Sequence, residues 1–299
     1  MIGRGSLRLR GRELHWGERT YVMGIVNVTP DSFSGDGLLT AAGEPVAAAV
    51  AQARAMVADG ADLLDIGGES TRPAHETIDE AEELRRVIPV ISSIREALPD
   101  VPMSIDTTKP AVAEAALTAG ADLLNDIWGG TERGALAGIA AERGTPIILM
   151  HNRQRPVYHA VVAEVVDDLR AAVERAIGRG VRREHVIVDP GIGFGKSADQ
   201  NVEVLRDLRT LTGLGAPLVL GTSRKSTLGR LLDLPVDQRL EATLATTALG
   251  IAAGVDIVRV HDVAANVRAA RTADAVVRGW RPEGWTDVAP SRRAGGDGQ

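Results

Sequence analysis

Eight times along this chain a short, near-continuous apolar run bounded by Gly, Pro or Asp recurs, and stretches with helical spacing lie between these runs. The runs are 21–27, 62–66, 101–106, 122–126, 146–150, 186–189, 217–221 and 256–260. Parallel strands covered on both faces read this way, because neither face meets water. The stretches between them, such as "EPVAAAVAQARAMVADG" and "KPAVAEAALTAG", are alanine-rich. Several end in a glycine suited to a helix C-cap: Gly60, Gly120, Gly180 and Gly254. Eight βα units without a break in composition predict an α/β chain folded as a (β/α)8 TIM barrel, in preference to a doubly wound open sheet. Residues 1–20 are expected to form a hairpin over the barrel floor and 21–279 the barrel itself. Residues 280–299, rich in Gly, Pro, Arg and Asp, are expected to be a disordered tail.

Composition narrows the chemistry. With no cysteine, disulfides, thiolate metal sites and a cysteine nucleophile are all excluded. A net charge of -6 gives no global attraction to nucleic acid or to an anionic membrane. The first twenty residues lack the apolar core of a signal peptide, and no run approaches the roughly 18 residues that span a bilayer. The expectation is a cytoplasmic protein without nucleic-acid or membrane partners.

A barrel of this kind carries its chemistry on the loops that follow the strands. Those loops begin at Asn27, "DIGGESTRP", "SIDTTK", "NDIWGG", "MHNR", "DPGIGFGK", "GTSRKS" and "RVHD", whereas "ALPDVPM" and "GVRREHV" at the other end read as solvated turns. Asp106, Asn125 and Asp189 suit a neutral heterocycle rich in N–H donors, since carboxylate and amide oxygens accept them. Arg72, Lys225, Arg259 and His261 suit an anion such as phosphate. Phe33 and Phe194, the two phenylalanines, both stand in glycine-bearing loops, where an aromatic ring covers a planar ligand more readily than it fills a core. "PGIGFGKS" is not a Walker A loop, because Pro190 stands where that pattern needs glycine. Arg153 and Arg155 read as solvated loop charges, and His15, His75, His159 and His185 as surface residues. Tyr158 reads as a residue at a helix start, and His151 is compatible with either framework or site.

"MGIVNVTPDSFSGDG", "DIGGESTRP", "SIDT", "NDIWGG", "LMHNR", "DPGIGFGK", "SRKS" and "RVHDV" together resemble the dihydropteroate synthases in order and spacing, over about residues 20–278. The resemblance implies a transferase of folate biosynthesis. It would join 4-aminobenzoate to 6-hydroxymethyl-7,8-dihydropterin diphosphate, releasing pyrophosphate, with Mg2+ as cofactor. It implies pterin contacts at Asp106, Asn125, Asp189, Lys225 and Phe194, and a pyrophosphate site at Asn27, Arg72, Arg259 and a protonated His261. Asn27 would also help hold the metal. Phe33, Thr71, Pro73 and Ser226 would surround aminobenzoate, and Lys225, Arg259, His261 and Asp106 would lie closest to the chemistry. It further implies a homodimer through the last helices. The first loop departs from the family, reading Ser34-Gly35-Asp36-Gly37 where Ser-Asp-Gly-Gly is usual, so Asp36 has no assigned role. The alternatives are a pterin-binding methyltransferase, which has no need of "NVTPDSF" or of Arg259 and His261, and a non-catalytic pterin-binding paralogue.

Much of the aminobenzoate pocket comes from the two glycine-rich loops, so the bound anion should order it. Aminobenzoate is expected to bind the free protein weakly and to bind much more tightly once Mg2+ and pyrophosphate are present, which calorimetric titration in both states measures. Equal affinities would overturn the coupling.

Overall fold

The computed structural model describes residues 5–28, 44–69, 78–129 and 135–286. It opens with an antiparallel hairpin of β1 (Ser6–Leu9) and β2 (Arg12–His15), with Leu7 opposite Leu14. Eight parallel strands follow among the described residues: β3 (Tyr21–Asn27), β4 (Leu63–Gly67), β5 (Met103–Asp106), β6 (Leu123–Asp126), β7 (Ile147–Met150), β8 (Val186–Asp189), β9 (Val219–Leu220) and β10 (Ile257–Val260). Their order is β8-β7-β6-β5-β4-β3-β10-β9. A parallel bridge between Val188 and Leu218, with the Val188 N–H donating to Pro217 O at 2.9 Å, joins the two ends, so the sheet closes as the sequence predicts.

Outside the strands lie α1 (Glu44–Ala58), α2 (Glu80–Ala97), α3 (Pro110–Ala119), α4 (Leu136–Arg143), α5 (Val161–Gly178), α6 (Ala198–Arg206), α7 (Leu208–Leu211), α8 (Ser226–Leu232), α9 (Leu240–Ala253) and α10 (Val263–Val277). No helix among the described residues is long and apolar enough to cross a membrane.

Several predicted strands shorten at their first residues, and the cause is local. Pro102, Pro146 and Pro217 have no N–H to give a ladder. Asp62, Asp122 and Asp256 turn their side chains to the neighbouring strand and accept the N–H of Val22, Met103 and Leu218 at 2.9, 3.0 and 3.0 Å. The similar runs "GADLL", "GADLL" and "GVDIV" place each of these aspartates two residues after a glycine in the left-handed region, Gly60, Gly120 or Gly254. One short pattern therefore ends a helix, turns the chain and staples the next strand to its neighbour.

Alternation along the strands builds the interior. The lower inward positions are apolar: Met23, Leu63, Leu123, Ile148, Ile187, Val219 and Ile257 form one buried cluster with Leu7, Leu9, Leu14, Trp16 and Tyr21. The hairpin thus plugs the floor, with Trp16 edge-on to Tyr21 at 5.7 Å. Two residues further up, the inward positions turn polar on four of the strands: Leu63 leads to Asp65, Leu123 to Asn125, Ile187 to Asp189 and Ile257 to Arg259. The outward residues pack under the helices in a separate cluster.

Beyond α10 the chain stays attached: the Trp280 N–H donates to Asp274 O at 3.2 Å, and the Arg271 guanidinium lies 5.2 Å from the Trp280 ring. Trp16→Ala should cost roughly 3–5 kcal/mol in a denaturant titration. It should leave substrate KM within about twofold, because the floor and the polar rim lie at opposite ends of the barrel. A large KM change would show that the two ends are not separable.

Candidate active site

The inward polar residues meet around one guanidinium. Arg259 on β10 donates from Nε to Asp65 Oδ2 at 2.5 Å and from Nη2 to Asp106 Oδ2 at 2.8 Å. Asp65 also accepts from Ser104 Oγ at 2.5 Å and from Asn125 Nδ2 at 3.1 Å. Burial works against the Arg259 charge, but Asp65 and Asp106 outweigh it and raise its pKa. Two carboxylates share this one cation, so Asp106 is undercompensated. Burial pushes its pKa up to about 7, with Arg259 pulling down and Asp65 pushing up. Asp106 Oδ1 is buried and takes no hydrogen bond from the described residues. Asp189, at the tip of β8, accepts the Gly191 N–H at 2.7 Å on Oδ1, and burial raises its pKa as well. Asp106, Asn125 and Asp189 line one recess together with Phe194, Lys225 and Arg259.

Above the recess opens a cavity of about 280 Å3 that shares Phe194, Gly221, Lys225 and Arg259 with it. Asn27, Ser223, Arg224, Ser226, Arg239 and His261 also line the cavity. The Lys225 ammonium stands 4.1 Å from the Phe194 ring centroid, a cation–π contact where the two spaces join. Arg224 holds a left-handed φ of 55°, its guanidinium pairs with Asp262 at 2.9 and 2.5 Å, and its backbone N–H donates to Thr243 Oγ1 at 3.1 Å, a strained residue anchored at both ends.

His261 differs from expectation. Burial first, then Arg259 and Arg224, hold its pKa down at about 3, so in this state the ring is neutral, not protonated. Ser223 Oγ accepts the His261 backbone N–H at 3.1 Å and lies 2.9 Å from Nδ1. In the tautomer in which the hydroxyl donates to Nδ1, the ring proton sits on Nε2. A neutral His261 still offers an anion an N–H donor.

The loop after β8 is pinned from behind. Lys196 Nζ donates to Gly191 O at 3.1 Å and Phe194 O at 3.2 Å, and it lies 2.8 Å from His151 Nδ1. His151 is 1% exposed, and its Nε2 faces Asp168 at 3.1 Å. Burial lowers His151 to about 4 and Lys196 to about 7. A Cβ on Gly191 would fall 1.9 Å from His151 O, and one on Gly195 2.3 Å from Arg153 O, so both glycines serve close backbone approach. The sequence reading needs correction here. Arg153 is no solvated charge, since it pairs with Glu164 at 2.7 Å and Asp168 at 2.8 Å. Tyr158 does more than start a helix, its hydroxyl donating to Gly195 O at 2.8 Å. His185 is buried, not on the surface.

Of the residues singled out from the sequence, Asn27, Asp106, Asn125, Asp189, Phe194, Lys225, Ser226, Arg259 and His261 line this connected cleft. Phe33, Asp36, Thr71, Arg72, Pro73 and His75 lie outside the described residues. The sequence reading missed Asp65, Ser223, Lys196 and Arg239 as parts of the site. Counting in twos up β4 from the floor residue Leu63 finds Asp65. Nothing comparable marks Arg239, whose position on the cavity depends on hydrogen bonds to Leu234 O and Arg224 O.

A profile of pterin binding enzymes matches residues 23–261, which defines the class of protein. A dihydropteroate synthase from Clostridium beijerinckii is 46% identical over 91% of this chain and 100% of its own length. The Xanthomonas albilineans dihydropteroate synthase solved with 4-aminobenzoic acid superposes with a TM-score of 0.84 at 43% identity, covering 91% of this chain and 97% of that one. The same enzyme in complex with 7,8-dihydropteroate gives 0.82 at 42% identity, over 91% and 98%. This chain belongs to the dihydropteroate synthase family, transferases of folate biosynthesis.

The Asp106 carboxyl, raised from 3.8 to about 7, holds its proton more tightly in the folded protein than in the unfolded chain. Its contribution therefore makes stability fall as pH rises between those values. Asp106→Asn removes that fall, so the stability of the variant relative to wild type should climb between about pH 4 and pH 7. Urea titrations across the range test this, and a flat difference would mean that Asp106 titrates normally.

Proposed function

We propose that this cleft joins 4-aminobenzoate to 6-hydroxymethyl-7,8-dihydropterin diphosphate, with the pterin in the recess and the diphosphate beneath His261 and Asn27. One observation carries the reading: three acceptors, Asp106, Asn125 and Asp189, line a recess that opens directly onto an anion-suited cavity through Lys225 and Arg259. A donor-rich ring and an anionic leaving group on one substrate match that arrangement.

The methylene–oxygen bond of the diphosphate breaks, and its electron pair leaves with pyrophosphate. The aminobenzoate nitrogen then forms the new bond to that carbon and sheds a proton. Lys225 and the His261 Nε2–H stabilise the departing anion, and Arg259 joins them where its carboxylate partners leave it free to do so. Orientation supplies much of the rest: Phe194 and Lys225 border both spaces, and Ser226 borders the outer one where aminobenzoate enters. Phe33, Thr71, Arg72 and Pro73 complete that second pocket in this reading.

Among the described residues no three acidic or histidine side chains gather into a metal cage. Asn27 nevertheless lines the cavity, and its amide oxygen is a hard donor of the kind that would fit Mg2+ carried largely by substrate phosphates and water. When bound there, the ion would neutralise charge on the leaving pyrophosphate.

A second copy of the chain is the partner we propose for α9 and α10. Leu249, Val276 and Val277 are 68%, 81% and 46% exposed there, beside a groove lined by Leu244, Ala248, Ala269 and Ala273. Sedimentation at micromolar concentration should give a dimer and Val276→Glu a monomer. A wild-type monomer would overturn the assembly.

Pyrophosphate release with both substrates present, and none with either alone, is the expected result of the direct assay. A methyltransferase or a non-catalytic paralogue would release none. Asp189→Asn sets an N–H against a ring N–H and should cost on the order of 2–5 kcal/mol of pterin affinity by calorimetry. Unchanged binding would remove Asp189 from the recess.

A further inference from the structure

Asp65 is fully buried and lines neither the recess nor the cavity, yet three donors of the site converge on it. Ser104 Oγ holds Oδ1 at 2.5 Å, while Asn125 Nδ2 and Arg259 Nε meet at Oδ2, at 3.1 and 2.5 Å. Only the nitrogen end of a primary amide donates, so a carboxylate beside Asn125 decides which way that amide points. Nδ2 turns to Asp65. Oδ1 takes no hydrogen bond from the described residues, and Asn125 lines the recess, so the oxygen is what a ligand meets. Asp106 Oδ1 is likewise unpartnered, and Asp189 keeps Oδ2 free of described donors.

We propose that Asp65 is a positioning residue that sets the hydrogen-bond polarity of the recess. By holding the Asn125 amide nitrogen and the Arg259 Nε on one oxygen, it makes Asn125 an acceptor and selects a ring edge that presents N–H groups. Ser104 keeps the carboxylate from rotating away. The inference rests on the placement of the dihydropterin in this recess.

The probe is 6-hydroxymethylpterin without its diphosphate, titrated by calorimetry at a temperature where thermal denaturation shows each variant folded. Asp65→Ala frees the amide to turn and should weaken binding at least tenfold. Asp65→Asn is the stricter arm. Its amide oxygen in the place of Oδ2 still accepts from Arg259 Nε and Asn125 Nδ2, and its nitrogen faces Ser104 Oγ, which can accept while donating to Leu64 O at 3.2 Å, so binding should stay within fivefold of wild type. Asp65→Leu keeps the volume without the acceptor and should lose binding as Asp65→Ala does, whereas a merely packing role for Asp65 predicts that Asp65→Leu binds. The inference fails if Asp65→Ala or Asp65→Leu binds as wild type does, or if Asp65→Asn loses more than fivefold, and if Asp65→Ala does not fold, the other two variants decide. Asp189→Asn separates the two levels. If that substitution weakens pterin binding while Asp65→Ala does not, only the role of Asp65 is wrong. If neither weakens it, the pterin is not in this recess.

Discussion

A guanidinium buried between two carboxylates organises the interior of this barrel. Arg259 is 16% exposed, and Asp65 and Asp106 are 0% and 6% exposed. Removing one partner from a buried charge cluster costs far more than the cluster contributes, because the remaining charges are left without solvent or counterion. The same arrangement carries an imbalance of one negative charge, which Asp106 relieves by keeping its proton close to neutral pH. A site that must receive a donor-rich ring and a polyanion is thus built from acceptors and cations that already restrain one another.

Such a cluster persists because the rest of the barrel tolerates it. The floor is dry, filled by alternating apolar residues and the N-terminal hairpin, and stapled by Asp62, Asp122 and Asp256 across strand pairs. The rim carries the polar groups, a strained Arg224 and the glycine-rich loop after β8. Lys196, His151 and Asp168 hold that loop from outside the cleft, so the Phe194 ring owes its position to groups that touch no ligand space.

The eight strands and most of the rim were legible because apolar runs closing on Asn27, Asp106, Asp126 and Asp189 are local patterns. So was the pairing of acceptors with cations, since Asp106, Asn125, Asp189, Lys225 and Arg259 announce their chemistry by residue type. His261 was legible as a site residue but not in its charge state, which depends on burial and on Arg259 and Arg224 arriving beside it. Arg153 read as a solvated charge and Tyr158 as a mere helix-start residue because their partners stand up to thirty-seven positions away.

By itself, then, the sequence determined the βα order, the face of the barrel that bears the chemistry and the kinds of group found there. These follow from periodicity, capping and side-chain type, all of which act within a few residues. Tertiary structure decided that Asp65 and Arg259, 194 positions apart, share a hydrogen bond, that the Asn125 amide turns inward to them, and that His261 is neutral. Closure of the sheet brings distant strands into one low-dielectric space, and only there do charge, proton and amide orientation depend on which neighbours have been assembled.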